Sequence, residues 1–177
     1  ELGWSNGRPT VLLVGGGAGM GPLEETANAI EASGLDVGLS VVCGRNESLK
    51  ENLEKKNWNM PVHVYGFVKN MPVMMAAADV LVTKAGPGTI IEAANASLPM
   101  LLYARLPGQE EGNVDFVVEN DLGAWTPDTE DMVSVLRTWL ENPEEYKRVQ
   151  ANCDAIANSD GTRQIAREIM KFAKVTA

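Results

Sequence analysis

Short apolar runs alternate with longer stretches of helical period along this chain, and the alternation limits the folds open to it. A run that is apolar at nearly every position is typical of a strand covered on both faces. The runs lie at Thr10 to Val14, Leu39 to Cys43, Val62 to Tyr65, Val80 to Thr83, Met100 to Tyr103 and Gly123 to Trp125. Such strands, separated by helices, predict an α/β fold with a Rossmann-like, doubly wound parallel sheet of six strands.

The same pattern predicts where the helices and the domain boundaries lie. We expect helices near 22–33, 47–57, 70–78, 89–96, 113–120, 128–141, 143–157 and 161–174. The 177 residues suffice for one domain with a substantial core. We predict an interdomain linker at 1–9, a Rossmann-like domain at 10–158 and a C-terminal helix at 159–177. The start at Glu1, without an initiator methionine, favours the linker interpretation.

Composition excludes several classes of function. The net charge of -9 repels nucleic acid and anionic headgroups at long range, so we expect no nucleic-acid partner and no membrane contact through this part. Cys43 and Cys153 are far apart and lack a nearby histidine, which disfavours disulfides and structural zinc. The chain shows neither an apolar run of ~18 residues nor a signal-peptide pattern. We expect either a cytosolic or stromal chain or a soluble fragment whose targeting segment lies elsewhere.

The glycine-rich segment Gly15 to Gly21 follows the first strand directly, where ligands bind in a doubly wound sheet. Its glycines permit close backbone approach, and amides at a helix start attract anions. Met20 stands where G-x-G-x-x-G needs its third glycine, and the end of the second strand, Cys43 to Asn46, has no acid to hold an adenosine ribose. A dinucleotide dehydrogenase is therefore disfavoured. A tight turn that binds nothing remains the alternative.

A second glycine-rich helix start, Gly86 to Thr89, follows the fourth strand at the same edge of the sheet. Two such helix ends can share one pyrophosphate. Glu92 lies one turn further, between apolar residues, and its carboxylate suits a ribose diol. A simple complement to the helix dipole is the alternative.

The loop from Pro107 to Asn113 clusters amides and carboxylates that could bind sugar hydroxyls, although a solvated loop would have the same composition. The single histidine, His63, lies within a strand pattern. We interpret it as structural rather than as a catalytic base.

These loops together resemble the C-terminal domain of monogalactosyldiacylglycerol synthases, in order and spacing from about Pro9 to Gly123. The motifs that carry the resemblance are Gly15-Gly16-Gly17-Ala18-Gly19-Met20-Gly21-Pro22, Val42-Cys43-Gly44-Arg45-Asn46, Gly66-Phe67-Val68, Thr83-Lys84-Ala85-Gly86-Pro87-Gly88-Thr89-Ile90 and Pro107-Gly108-Gln109-Glu110-Glu111-Gly112-Asn113-Val114. Diacylglycerol glucosyltransferases and the peptidoglycan N-acetylglucosaminyltransferase share a looser version. The resemblance implies the C-terminal half of a GT-B fold, which holds a UDP-sugar.

The resemblance also implies a set of site residues. The backbone around Phe67 and Val68 would meet the uracil, and Glu92 the ribose. The UDP-binding residues would be Gly17, Gly19, Met20, Gly21, Phe67, Val68, Gly86, Pro87, Gly88, Thr89 and Glu92. The sugar-binding residues would be Pro107, Gly108, Gln109, Glu110 and Asn113.

The implied reaction is an inverting hexosyl transfer, with galactose favoured, from UDP-hexose to a diacylglycerol hydroxyl. It needs no bound metal and no other cofactor, because helix-end amides would stabilise the leaving diphosphate. The lipid acceptor, the membrane contact and the catalytic base would belong to a missing N-terminal domain, so this chain carries no catalytic residue and is expected to be inactive alone.

This sequence departs from the family at two places. Ala18 stands where plant members have glutamate, which bears on acceptor or lipid-activation contacts. Ala96-Ser97-Leu98 replaces Arg-Gly-Leu at a helix end. Two other functions stay open, a non-catalytic UDP-sugar-binding module and a nucleotide-sugar epimerase. An epimerase would need acidic and histidine groups at its cleft, where the position of His63 counts against it.

Overall fold

The sheet consists of six parallel strands, as predicted. The computed structural model describes residues 2–4, 7–19, 21–157 and 161–175. The strands are β1 Thr10–Val14, β2 Gly38–Val42, β3 Val62–Tyr65, β4 Val80–Lys84, β5 Met100–Ala104 and β6 Gly123–Trp125. They lie in the order β3-β2-β1-β4-β5-β6, and every neighbouring pair is parallel. The predicted fold class is therefore confirmed.

The described residues form eight helices, and local chemistry explains the starts of some of them. They are α1 Leu23–Ala32, α2 Glu47–Lys55, α3 Met71–Ala77, α4 Pro87–Asn95, α5 Glu111–Glu119, α6 Thr129–Glu141, α7 Pro143–Ile156 and α8 Gly161–Val175. The Asn46 side chain accepts a hydrogen bond from the Leu49 amide at 3.1 Å and caps α2. Helix α4 begins at Pro87 rather than at the predicted Thr89, because proline suits a first helical position.

Alternate residues of the central strands fill two cores, one on each face of the sheet. Leu13 of β1 packs in one core with Ile30 of α1 and Leu136 of α6. Its neighbour Leu12 packs in the other core with Met74 of α3. All five of these side chains are fully buried. This two-sided burial explains why the strands are apolar at nearly every position.

The domain boundaries stay a prediction. Residues 1, 5 and 6 of the predicted linker, and 158–160 before α8, lie outside the described residues. Helix α8 carries the highly exposed apolar side chains Ile165, Ile169, Met170 and Phe172. Within the described ranges, none of the helices combines the length and apolarity required to cross a membrane.

The turn after β2 packs closely against the turn after β1. Gly44 has a φ of 57°, and a Cβ atom there would lie 2.7 Å from the carbonyl oxygens of Gly16 and Gly17. The Arg45 amide donates to the Gly17 carbonyl oxygen at 3.1 Å. Only glycine fits this contact, which fixes the shape of the sheet edge where both turns lie.

Gly44→Ala should destabilise the fold more than Gly34→Ala. Gly34 has a φ of 67° but no neighbour within 4 Å of a Cβ atom, so alanine there suffers only the left-handed strain of about 1–2 kcal/mol. Alanine at position 44 adds a steric conflict of about 1–3 kcal/mol. Urea unfolding of both variants measures the difference in the free energy of unfolding. Equal losses would show that the contact between the turns is not tight.

Candidate functional site

A cleft of about 350 Å³ opens at the carboxyl edge of the sheet, between the turns after β1 and β3 and helix α4. It brings together five of the residues that the sequence predicted to bind UDP. These are Gly17, Phe67, Val68, Thr89 and Glu92. Gly16, Gly44, Met71 and Met75 also line the cleft, and sequence analysis did not assign them to the site.

The glycines of the two turns differ in what surrounds them. A Cβ atom at Gly17 or Gly88 would meet nothing within 4 Å. At Gly19 it would clash with the Cys43 carbonyl oxygen, and at Gly21 it would lie 2.6 Å from the Tyr103 ring. Packing alone thus explains Gly19 and Gly21. It does not explain Gly17 and Gly88, where the open space is available to a ligand.

Helix α4 lines the cleft with Thr89 and Glu92, and its first residues, Gly86 to Gly88, are not among the lining residues. Gly86 is buried at the N-cap position, where its carbonyl oxygen accepts from the Ile90 amide at 3.0 Å, and Pro87 occupies the first turn. The first amides of a helix have no partners inside the helix, and its N-terminus carries a partial positive charge. Gly88 and Thr89 therefore bring amides to a place that suits a phosphate.

Glu92 lies on the outer face of α4 and lines the cleft with Thr89. Ile90 and Ala93 are buried, so the apolar surroundings seen in the sequence belong to the opposite face of an amphipathic helix. The first turn of α4 contains no acidic residue, whereas the dipole acts within that turn. This placement disfavours the dipole explanation of Glu92.

Phe67 forms one wall of the cleft with 52% of its surface exposed. The Arg45 guanidinium carbon lies 4.8 Å from the centre of the Phe67 ring, within the range of a cation–π contact. An exposed aromatic ring supported from one side can stack on a planar base. The sequence analysis assigned no role to Arg45.

The predicted sugar loop divides into exposed and anchored residues. Pro107, Gly108 and Gln109 are exposed, whereas Asn113 is half-buried and donates from Nδ2 to the Ala85 carbonyl oxygen at 2.8 Å. Glu110 is 5% exposed. This loop is thus tied to the turn after β4, and it does not line the cleft.

Glu110 was predicted as a sugar ligand, and the structure gives both of its carboxylate oxygens partners within the protein. Its Oε1 accepts from Lys84 Nζ at 2.7 Å, and its Oε2 accepts from the Leu106 amide at 2.8 Å. Burial alone would raise the pKa of Glu110, but both hydrogen bonds and the Lys84 charge hold it below its usual value. Both oxygens accept hydrogen bonds from groups of the protein itself, which indicates that Glu110 positions the loop.

Lys84 is the functional candidate that sequence analysis missed. It ends β4, immediately before the glycine-rich turn, and its side chain is 25% exposed. A lysine at the carboxyl edge of a sheet, between two glycine-rich turns, was the available signal. Lysines at strand ends are commonly solvated, so the position in the sequence does not by itself indicate a ligand.

Other residues that were predicted to bind UDP lie away from the cleft or outside the described residues. Met20 is not among the described residues. Gly21 lines a separate surface cleft with Pro22 and Asn46. In the part of the chain that the structure describes, no three His, Cys, Asp or Glu side chains are grouped to hold a metal ion. Binding without a metal stays a prediction.

Comparison with known families extends over most of the chain. The profile of the glycosyltransferase family 28 C-terminal domain matches residues 10–164. The crystal structure of Acinetobacter baumannii MurG shares the fold with a TM-score of 0.76 and 21% identity, over 96% of this chain and 51% of that chain. At that identity the likeness shows the fold alone.

Two curated plant proteins are similar in sequence. A probable monogalactosyldiacylglycerol synthase, chloroplastic, of Glycine max is 40% identical over 183 residues, which is 98% of this chain and 34% of that protein. Monogalactosyldiacylglycerol synthase 3, chloroplastic, of Arabidopsis thaliana is 40% identical over 169 residues, which is 91% of this chain and 36% of that protein. The predicted resemblance is confirmed, and the chain spans about a third of the length of these relatives.

Glu110→Gln should lower the free energy of unfolding by about 1–3 kcal/mol, because the amide NH₂ would face a donor in either orientation, the Leu106 N–H or the Lys84 ammonium. A carboxyl whose pKa is lowered in the folded state stabilises the fold above its unfolded pKa, about 4.3. That contribution disappears as pH falls through the lower, folded pKa.

The gap between the wild-type protein and Glu110→Gln should therefore be full above about pH 5 and shrink below about pH 4. Urea unfolding at a series of pH values measures it. Glu119→Gln, on the exposed end of α5, controls for the loss of one carboxylate. A gap independent of pH would contradict the ion pair with Lys84.

Proposed function

The chain belongs to the glycosyltransferase family 28 C-terminal domain family, and we propose that it is the donor-binding domain of a UDP-hexose:diacylglycerol glycosyltransferase. The observation that carries the proposal is the cleft in which Gly17, Phe67, Val68, Thr89 and Glu92 meet. Similarity to monogalactosyldiacylglycerol synthases favours galactose as the hexose. The proposed activity is that of a whole protein, whereas this chain matches about a third of the length of its relatives.

Each part of the donor has a matching part of the site. Uracil stacks beside Phe67 and binds the backbone of Val68, and the Glu92 carboxylate accepts hydrogen bonds from the ribose hydroxyls. The diphosphate lies between the turn at Gly17 and the amides of Gly88 and Thr89. The hexose extends towards the loop after β5.

Pro107, Gly108 and Gln109 are the exposed residues of that loop, and Asn113 lies behind them. We assign the hexose contacts to these four residues. Glu110 shapes the loop from beneath, through its bonds to Lys84 and Leu106.

The chemistry left to this domain is stabilisation of the leaving group. In an inverting transfer the acceptor hydroxyl attacks the anomeric carbon while the bond to the UDP oxygen breaks, and negative charge develops on the diphosphate. Fixed amide dipoles at a helix start stabilise that charge without reorganisation and without a metal. The base that deprotonates the hydroxyl, and the lipid site, belong to a preceding domain.

We place the full-length protein at the cytosolic or plastid face of a membrane, as a peripheral protein whose lipid contact lies in the preceding domain. The names of the plant relatives, which are chloroplastic, favour the plastid. The acidic charge of this chain agrees with a position away from anionic headgroups.

A non-catalytic module would have the same cleft, so only activity of the complete protein separates it from the enzyme. The epimerase alternative is disfavoured, because the matching family and the curated relatives are glycosyltransferases. His63 moreover lies on the edge strand β3 and stacks on Tyr65, with ring centroids 6.4 Å apart.

Isothermal titration of the chain with UDP, UDP-galactose, UDP-glucose and NAD, each with and without magnesium, tests the proposal. We expect binding of the uridine compounds independent of magnesium and no binding of NAD. Binding of NAD, or of no nucleotide by folded protein, would contradict it.

Two substitutions in α4 should separate the halves of the nucleotide. Glu92→Ala removes the contact with the ribose, which uridine and UDP share. The binding of both ligands should become weaker by about 1–3 kcal/mol. Gly88→Val fills the space in which we place the diphosphate. It should lower the affinity for UDP at least about tenfold, or 1.4 kcal/mol, while the affinity for uridine stays nearly unchanged. Titration calorimetry with both ligands measures this.

Gly112→Val is the matched control for Gly88→Val. Gly112 is the second residue of α5, as Gly88 is of α4, and neither has a neighbour within 4 Å of a Cβ atom. The control should leave UDP affinity unchanged. If Gly88→Val weakened uridine and UDP equally, the diphosphate would not lie at this helix start.

A further inference from the structure

The Lys84 side chain runs beside both glycine-rich turns. A Cβ atom at Gly86 would lie 3.3 Å from Lys84 Nζ, and one at Gly16 would lie 3.6 Å from Lys84 Cε. The ammonium therefore stands next to the turn before α4, and the stem of the side chain passes the turn after β1. Because both positions are glycine, neither places a side chain between its turn and Lys84.

The ammonium is held in this place by a carboxylate that is itself fixed. Lys84 Nζ lies 2.7 Å from Glu110 Oε1, and the other Glu110 oxygen accepts from the Leu106 amide at 2.8 Å. The Glu110 side chain is 7% exposed and that of Lys84 is 25% exposed. An ammonium has three N–H donors, and the bond to Glu110 uses one. The others can be donated to an anion at the turns.

Other cations near the cleft are placed for different contacts. Arg45 lies over the Phe67 ring, on the side of the cleft assigned to the base. Lys50, near Gly66, pairs with Glu54 at 2.8 Å along α2. Lys84 is instead adjacent to the turns whose backbone suits a phosphate. Since the chain has a net charge of -9, a fixed cation there offsets the repulsion of an anionic nucleotide.

We propose that the Lys84 ammonium binds the diphosphate of the nucleotide donor, and that Glu110 is the positioning residue that holds it between the two glycine-rich turns. The inference rests on the proposed function, since it assigns a further ligand within the same site. Glu110 would then have two roles, because the carboxylate that positions Lys84 also anchors the loop after β5 through the Leu106 amide. Glu110 thus holds in place both the cation at the diphosphate and the loop that faces the hexose.

The double variant Lys84→Met/Glu110→Gln tests the assignment, because it removes the cation without leaving a buried charge unpaired. Titration calorimetry with UDP and uridine gives the ratio of the two affinities. We expect uridine to bind as to the wild-type protein and UDP to bind roughly 10- to 150-fold more weakly, the effect of one charge-assisted hydrogen bond. If the pair served only the fold, the folded double variant would keep the wild-type ratio, and that result would overturn the proposal.

Lys50→Met/Glu54→Gln is the matched control. It removes a second lysine–glutamate pair of similar length, 2.8 Å, and leaves the net charge unchanged in the same way. The ratio of UDP to uridine affinity should stay at the wild-type value. An equal loss in both double variants would indicate a general charge effect and would contradict a specific role of Lys84.

Glu110→Gln alone tests the positioning role. It keeps the ammonium but loosens its support, so UDP should lose a few-fold in affinity relative to uridine, less than in the double variant. A ratio equal to that of the wild-type protein would remove Glu110 from the proposal. If the double variant does not fold, Lys84→Gln provides the same comparison, because its amide can still donate to Glu110.

The wild-type titration separates this inference from the proposed function. If folded wild-type protein binds neither UDP nor uridine, the donor site itself is wrong, and the role of Lys84 falls with it. If the wild-type protein binds both ligands and Lys84→Met/Glu110→Gln keeps their ratio, the donor site stands and only the role of Lys84 is refuted.

Discussion

The contact between the turns after β1 and β2 is the constraint on which the rest of this sheet edge depends. Gly44 presses against the carbonyl oxygens of Gly16 and Gly17, and Gly19 against that of Cys43. Such contact requires residues without a Cβ atom and, at Gly44 and Gly19, a positive φ. The turn after β1 is thereby held open towards α4, and the cleft forms between them.

A second link joins the turn after β4 to the loop after β5. The Lys84–Glu110 ion pair and the hydrogen bond from Asn113 to the Ala85 carbonyl connect the two segments. Ala85 also donates its amide to the Ala104 carbonyl oxygen at 2.8 Å. The segment proposed to face the diphosphate and the one proposed to face the hexose are therefore one connected unit, in which a change at Glu110 reaches both.

The sequence predicted the strands to within a residue or two, because both faces of the sheet are covered and the apolar runs are uninterrupted. It predicted the helices less closely at their starts. Helix α5 begins at Glu111 rather than near Asn113, since Glu110 takes the N-cap position through its buried contacts with Lys84 and Leu106. Those contacts join residues distant in the chain, and neither periodicity nor propensity reports them.

The sequence by itself determined the strand count, the parallel sheet and the loops in which a ligand would lie, because periodicity and glycine placement are local properties. It also determined the family, through motifs spread from Pro9 to Gly123. Only the tertiary structure decided which residues of those loops face the cleft. Gly17 and Glu92 line the cleft and Gly88 has open space beside it, whereas Gly19 and Gly21 pack against neighbouring residues and Glu110 binds Lys84 and Leu106. That division depends on which segments the sheet order brings together, and burial and charge pairing across the sheet edge are set by those long-range contacts.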